Sequence, residues 1–179
     1  MPTEYVRHAP FGDSKAELIA EPLWYQGYPT EHYNASHVSW RAKLRTFVEE
    51  SMMPIMTEWD EAGGRGDLEK AAAIHKQVVL AAGKAGVLPG VVGCPWPAKY
   101  TNAPAPENYD YFHEVLTNIE IARTGGGGVW AVMIGLGIGL PPVLEFGSEE
   151  LKERVAPACL SGEAVMLLRS HEFGFRSPK

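Results

Sequence analysis

The chain has 179 residues, 45% of them hydrophobic and 21% charged, which suits one globular core and argues against several domains. Its 19 glycines and 14 prolines exceed average use but fall short of a collagen-like or low-complexity chain. Sixteen Lys and Arg against 22 Asp and Glu leave a formal charge of −6, the wrong sign for a phosphate-backbone binder, so nucleic acid is not an expected partner.

Residues 1–35 read as an irregular arm: Pro10, Gly12, Pro22, Gly27 and Pro29 are scattered among Phe11, Trp24, Tyr25, Tyr28 and Tyr33, which would pin it down. Met1 to Ala20 has neither the basic start and apolar core of a secretory signal nor the Arg-rich look of a transit peptide, so an intracellular, cytoplasmic location is expected. Asn34-Ala35-Ser36 matches a glycosylation sequon but reads better as the approach to a helix. From Ser36, the residues Leu44, Phe47, Val48, Ile55 and Trp59 recur at three, four and seven residue steps, so a first helix is predicted from Ser36 to Asp60. Pro54 removes a backbone donor inside it, and a kink or break is expected there.

Gly63, Gly64 and Gly66 end that segment. Asp67 then caps a second helix whose predicted apolar face is Leu68, Ala72, Val78, Val79 and Ala82, ending near Ala85. Five prolines between Val87 and Pro106 dictate a long loop with extended pieces. Phe112, Val115, Leu116, Ile119 and Ala122 mark a third helix up to Arg123. Sixteen uncharged residues follow, Val129 to Leu144, and Ser148 caps a last helix with Glu149 and Glu150 in its first turn and Glu150 and Arg154 at i, i+4 spacing. No period-two strand precedes Val165, so an all-α fold is expected to about Gly162.

The apolar run is read as a buried helix rather than a membrane span, because Gly135, Gly137 and Gly139, then Pro141 and Pro142, should break it before ~30 Å of hydrocarbon is crossed. Gly126 to Ala131 fits a loose G-x-G-x-x-A pattern, but a helix rather than a strand precedes it, which argues against a phosphate loop. Mid-helix glycines each cost ~1 kcal/mol relative to Ala, so a neighbouring helix or a ligand should approach that backbone closely. His8, His32, His37, His75, His113 and His171 include no H-E-x-x-H and no carboxylate at metal spacing, so structural roles and no metal site are expected. Cys94 and Cys159 read as reduced thiols, no serine sits in G-x-S-x-G, and Glu58, Asp60 and Glu61 look like a solvated helix end. Spacing alone names no catalytic residue.

The order of motifs carries more information. Phe47-Val48-Glu49-Glu50 with Pro54 and Trp59, Ala85-Gly86-Val87-Leu88, Glu120-Ile121-Ala122-Arg123, then Phe146-Gly147-Ser148-Glu149-Glu150-Leu151-Lys152 and Val155 to Glu163 succeed one another. This succession resembles the N-terminal helical domain of the acyl-CoA dehydrogenase family. The resemblance implies an FAD-dependent oxidation of the Cα–Cβ bond of an acyl-CoA thioester, with proton removal by a carboxylate and hydride transfer to flavin. It also implies a domain at 36–163 that helps to line the acyl-chain cavity, which makes Val132, Met133, Leu136, Gly137 and Leu140 the candidate substrate-lining residues. After Glu163 the expected Thr-Glu-Pro and Gly-Ser-Asp flavin motif is replaced by Ser170-His171-Glu172-Phe173, so 164–179 is a non-matching tail. No flavin contact and no catalytic base can be carried over, and the chain alone is expected to retain no FAD and show no activity. The alternative is a non-catalytic helical module that associates with itself or with a full-length relative.

Overall fold

The computed structural model describes residues 22–125 and 128–166, all helix or connection, with no strand among them. The helices are α1 (Ala35–Phe47), α2 (Met53–Gly64), α3 (Leu68–Ala85), the single turn α4 (Pro89–Val92), α5 (Tyr111–Ala122), α6 (Gly128–Phe146) and α7 (Glu149–Leu160). Helix α1 lies along α5, α2 along α3, and α6 packs on α3, α4 and α7. Leu44, Val48, Met52, Val78, Ala82, Leu88, Leu116, Ile121, Leu140 and Leu160 form the centre of one core. Of the arm, residues 1–21 lie outside the described residues. Its remainder is held by aromatics as expected: Trp24 stacks on Tyr33 at 4.1 Å, and Tyr25 is buried.

The predicted first helix is divided, but upstream of its proline. A π-helical turn, Val48–Met52, joins α1 to α2, and Met53 donates its N–H to Val48 O. Pro54 has no N–H for the Glu50 carbonyl, and its ring would crowd that oxygen. The wider turn moves the carbonyl away and lets the chain stay helical. Asn34 is the cap, accepting from the N–H groups of Ser36 and His37, so α1 begins at Ala35.

Asp67 caps α3 as expected, through Lys70 N, and Gly86 closes it with φ +66°. The buried face of α3 is Ile74, Val78, Val79 and Ala82, whereas Leu68 is 75% exposed and Ala72 is also exposed. The first turn of α3 rests on the core only through the half-buried Ala71, so those two predicted core positions are corrected. A larger correction falls on α5. Its predicted face, Phe112, Val115 and Ile119, is about two-fifths exposed, while His113, Thr117 and Glu120 are buried beside Leu116 and Ile121. The polar face goes inside because α1 offers it partners.

The loop from Val87 to Pro106 contains α4, a 3-10 turn at Ala98–Tyr100 and a cis Cys94–Pro95 bond. Helix α6 also departs from expectation, since it runs unbroken through Pro141 and Pro142. The carbonyl opposed to Pro141 belongs to Gly137, whose backbone has the freedom to tilt, and packing against α3, α4 and α7 holds the turn. No helix of the described residues is long and apolar enough to cross a membrane. Ser148 caps α7 through Leu151 N, and Glu149 pairs with Lys152 and Lys99, whose ammonium groups hold its carboxyl down at about 2. The Gly126–Gly127 part of the glycine pattern and the tail from 167 onward lie outside the described residues.

Candidate functional site

Of the five candidate lining residues, Val132, Leu136 and Leu140 are 3%, 7% and 0% exposed and pack in the core of this chain. Met133 and Gly137 are half-buried, and Ile138 beside them is 49% exposed. The glycines of α6 are explained by close neighbours. A Cβ at Gly135 would overlap the Met166 carbonyl, one at Gly139 would overlap the Met166 side chain, and one at Gly137 would sit 3.0 Å from Val91 O. The notches expected to admit a helix or a ligand thus hold α4 and residue 166 of the same chain.

A second constellation was invisible in the linear sequence. Helices α1 and α5 begin side by side and share a capping pattern: Asn34 with His37, and Asp110 with His113, each a capping box with histidine at the third position. His37 Nδ1 accepts the Asn34 N–H at 3.0 Å, and His113 Nδ1 accepts the Asp110 N–H at 3.2 Å. Each ring therefore carries its proton on Nε2, where His37 donates to Asp110 Oδ1 at 2.9 Å and His113 donates to Ser36 Oγ at 3.0 Å. Both histidines are buried, their ring centroids 4.0 Å apart. Burial lowers the pKa of His113. Partial burial acts upward on Asp110, but the hydrogen bonds from the His37 ring and the His113 backbone N–H prevail and hold its carboxyl at about 2.

His37, Asp110 and His113 present ligand atoms within 4.8 Å of one another, the metal-type cluster that spacing did not reveal. The hydrogen bonding runs against metal binding. A ligating imidazole donates its second nitrogen's proton outward, whereas here each Nδ1 accepts a backbone N–H and each Nε2 is protonated. His113 Nδ1 also lies 2.9 Å from Asp110 Oδ1, but a proton there would forfeit the capping bond. With Nε2 protonated, His113 is likewise no base for Ser36. The cluster joins two helix starts.

Below it the α1–α5 seam remains polar. Trp40 Nε1 donates to Thr117 Oγ1 at 3.0 Å and to His113 O at 3.2 Å, and α4 places Gly90 against the Trp40 ring. Glu120, fully buried, accepts from Arg41 Nε at 3.2 Å, from Nε and, at 2.9 Å, NH2 of Arg45, and from Arg123 NH1 at 3.4 Å. Arg123 reaches Glu49 at 3.2 Å, and Arg41 lies 3.3 Å over the Tyr25 ring. The Glu120-Ile121-Ala122-Arg123 motif thus supplies the core of a buried ionic network whose other members come from the stretch around Phe47-Val48-Glu49-Glu50. Two of the motifs singled out by order are joined in space.

The family profile described as "Acyl-CoA dehydrogenase, N-terminal domain" matches residues 34–163. The chain belongs to the acyl-CoA dehydrogenase family. Among curated relatives, "Acyl-CoA dehydrogenase AFT10-1" of Alternaria alternata is 31% identical over 160 residues, covering 84% of this chain and 34% of that protein. "Acyl-CoA dehydrogenase apdG" of Emericella nidulans is 29% identical over 154 residues, covering 81% of this chain and 33% of that protein. The chain therefore spans about a third of the length of these relatives. No solved structure matches it significantly. The match begins at the Asn34 cap and ends at Glu163, so it takes in both motif blocks and the whole α1–α5 seam.

The glycine faces of α6 offer no seat for a flavin of the kind implied by the acyl-CoA dehydrogenase resemblance. The Cβ-less faces of α6, where a planar ring could approach backbone, are filled by Met166 and Val91. The buried carboxylate Glu120 is held by arginines rather than presented to a ligand.

Proposed function

We propose that this chain supplies the N-terminal helical part of an FAD-dependent acyl-CoA dehydrogenase acting on the Cα–Cβ bond of an acyl-CoA thioester. The observation carrying the proposal is the family match over 34–163, which coincides with one packed helical unit. In that role α6 offers the acyl chain its accessible apolar side, with Met133 from the candidate set and the exposed Ile138, while Gly137 is the seat of Val91. Val132, Leu136 and Leu140 support this side from the core. By itself the chain neither retains flavin nor oxidises acyl-CoA, because the described residues contain no ring cradle and no free buried carboxylate to take the α-proton. The working domain is 36–163, with 1–35 as an arm and 164–179 as a tail.

The test uses the purified chain. No absorbance band near ~450 nm and no acyl-CoA-dependent reduction of an electron acceptor are expected, since both need a bound isoalloxazine. Calorimetry should show acyl-CoA affinity that rises with acyl length, by up to about fourfold for each fully buried methylene, and falls in Ile138→Asp. A stoichiometric flavin band would overturn the inactive reading, and affinity independent of acyl length would overturn the role of α6.

A second reading is favoured by the exposed stripe of α5, where Tyr111, Phe112, Val115 and Ile119 are 66%, 39%, 43% and 40% exposed. In that reading the chain is a non-catalytic module that associates with itself or with a full-length relative. Light scattering that finds only monomer would count against the self-association.

A further inference from the structure

The C-terminal ends of α3 and α7 and the 98–104 loop surround a cleft of about 850 Å3, a size typical of small-molecule sites. Glycines let its floor form. A Cβ at Gly83 would overlap the Ser161 carbonyl, and Gly162, with φ +80°, lies against the Val79 carbonyl. The two helix ends thus meet backbone to backbone. Lys43, Lys84, Lys99 and Arg154 line the cleft against a single lining carboxylate, Glu163, in a chain whose formal charge is −6.

These cations are not equally engaged. Lys99 is held by Glu149 and Glu153, at 2.7 and 3.2 Å. Lys43 donates to Gly86 O at 3.3 Å and lies 5.0 Å from the centroid of the Trp40 ring, with no carboxylate partner among the described residues. Lys84 and Arg154 make no ion pair or hydrogen bond among the described residues. Carbonyl oxygens at the helix ends account for some of this positive charge. They do not account for Arg154, which is six residues before the last residue of α7 and beyond the reach of a last-turn dipole, and the Glu150 pair expected from its i, i+4 spacing is not made.

We propose that this cleft binds a phosphate-bearing small molecule, with the Arg154 guanidinium and the Lys84 ammonium on the phosphate and Lys43 behind them. A planar guanidinium beside a compact ammonium suits a multiply charged oxyanion. The Tyr100 hydroxyl and the Asn102 amide also line the cleft, whereas the Ser161 hydroxyl donates to Ala158 O and Thr101 Oγ1 accepts from Ala103 N, both at 3.1 Å. No residue of α6 lines the cleft, so this site stands or falls separately from the acyl-lining role.

The experiment is calorimetric titration of the 179-residue chain at low ionic strength with inorganic pyrophosphate, ADP and adenosine. Pyrophosphate and ADP should bind saturably, more weakly as salt is raised, and adenosine should not bind. Lys84→Ala with Arg154→Ala should weaken both anions at least about tenfold, the effect of losing one charge-assisted hydrogen bond. Arg65→Ala with Lys76→Ala removes the same charge away from the cleft and should change affinity less than about twofold, as a distant screened charge would. All four side chains are exposed, and circular dichroism verifies folding of both variants. Absence of saturable anion binding, equal binding of adenosine and ADP, or an equal loss in both double variants would each overturn the proposal.

Discussion

Replacing Glu120 by Ala is the most severe single change that the structure identifies on the α1–α5 seam. The carboxylate is 0% exposed and engages Arg41 and Arg45, themselves 5% and 1% exposed, together with Arg123. Removing it leaves guanidinium groups buried without the oxygens that both α1 arginines use. Breaking a buried pair in this way costs about 3–5 kcal/mol, against a total of about 5–15 kcal/mol for a domain. Urea unfolding followed by Trp fluorescence suits a chain with Trp40 and Trp59 in the core. At an m-value of about 2 kcal/mol/M, Glu120→Ala should lower the midpoint by roughly 2 M. Glu120→Gln keeps the shape and part of the hydrogen bonding, so its loss should be smaller, about 1–3 kcal/mol. Combining Glu120→Met with Arg45→Met should cost less than the sum of the two single changes, because Arg45 is then no longer left buried without Glu120, although Arg41 still loses it. A Glu120→Ala midpoint equivalent to less than about 1 kcal/mol of destabilisation would refute the reasoning, since the network would then be only a surface-like ion pair.

Two further outcomes follow from close contacts and from titration. Gly83→Ala places a methyl on the Ser161 carbonyl and should destabilise by about 1–3 kcal/mol, as overpacking does, whereas Gly63→Ala, with open space around it, should not; thermal unfolding of both variants checks this. Because burial lowers the pKa of His113, the unfolded chain takes up a proton there that the native chain refuses, so stability is full above about pH 6.5 and falls as the pH drops below it. Asp110, held at about 2, adds a second loss between about pH 4 and pH 2. His113→Gln should flatten the upper part of this profile while retaining the α5 start, because Gln at the third position can also close a capping box.

How much of this was legible in the sequence depends on which signal an element used. The helices behind Asp67 and Ser148 could be located because a short polar cap precedes the helix, those behind Asn34 and Asp110 by apolar periodicity alone, and the order of motifs named the family. The buried face of α5 could not be found from hydrophobicity, since its inward residues include His113, Thr117 and Glu120 and its outward ones include Phe112, Val115 and Ile119. Polar groups enter a core only when each finds a partner, and the partners, His37, Trp40, Arg41 and Arg45, lie over 70 residues upstream on α1. A single-helix pattern is blind to a pairing of that range. One clue was available: Ser36, His37, Trp40, Arg41, Leu44 and Arg45 recur at helical spacing, as do His113, Thr117, Glu120 and Arg123 further on. Two polar stripes of complementary chemistry can satisfy each other. Similarly, the glycines of α6 signalled close approach, but only the fold identified Val91 and Met166 as what approaches. The ionic seam and the glycine-faced helix are tied together through α4: Gly90 seats on Trp40 from one side while Val91 seats on Gly137 from the other.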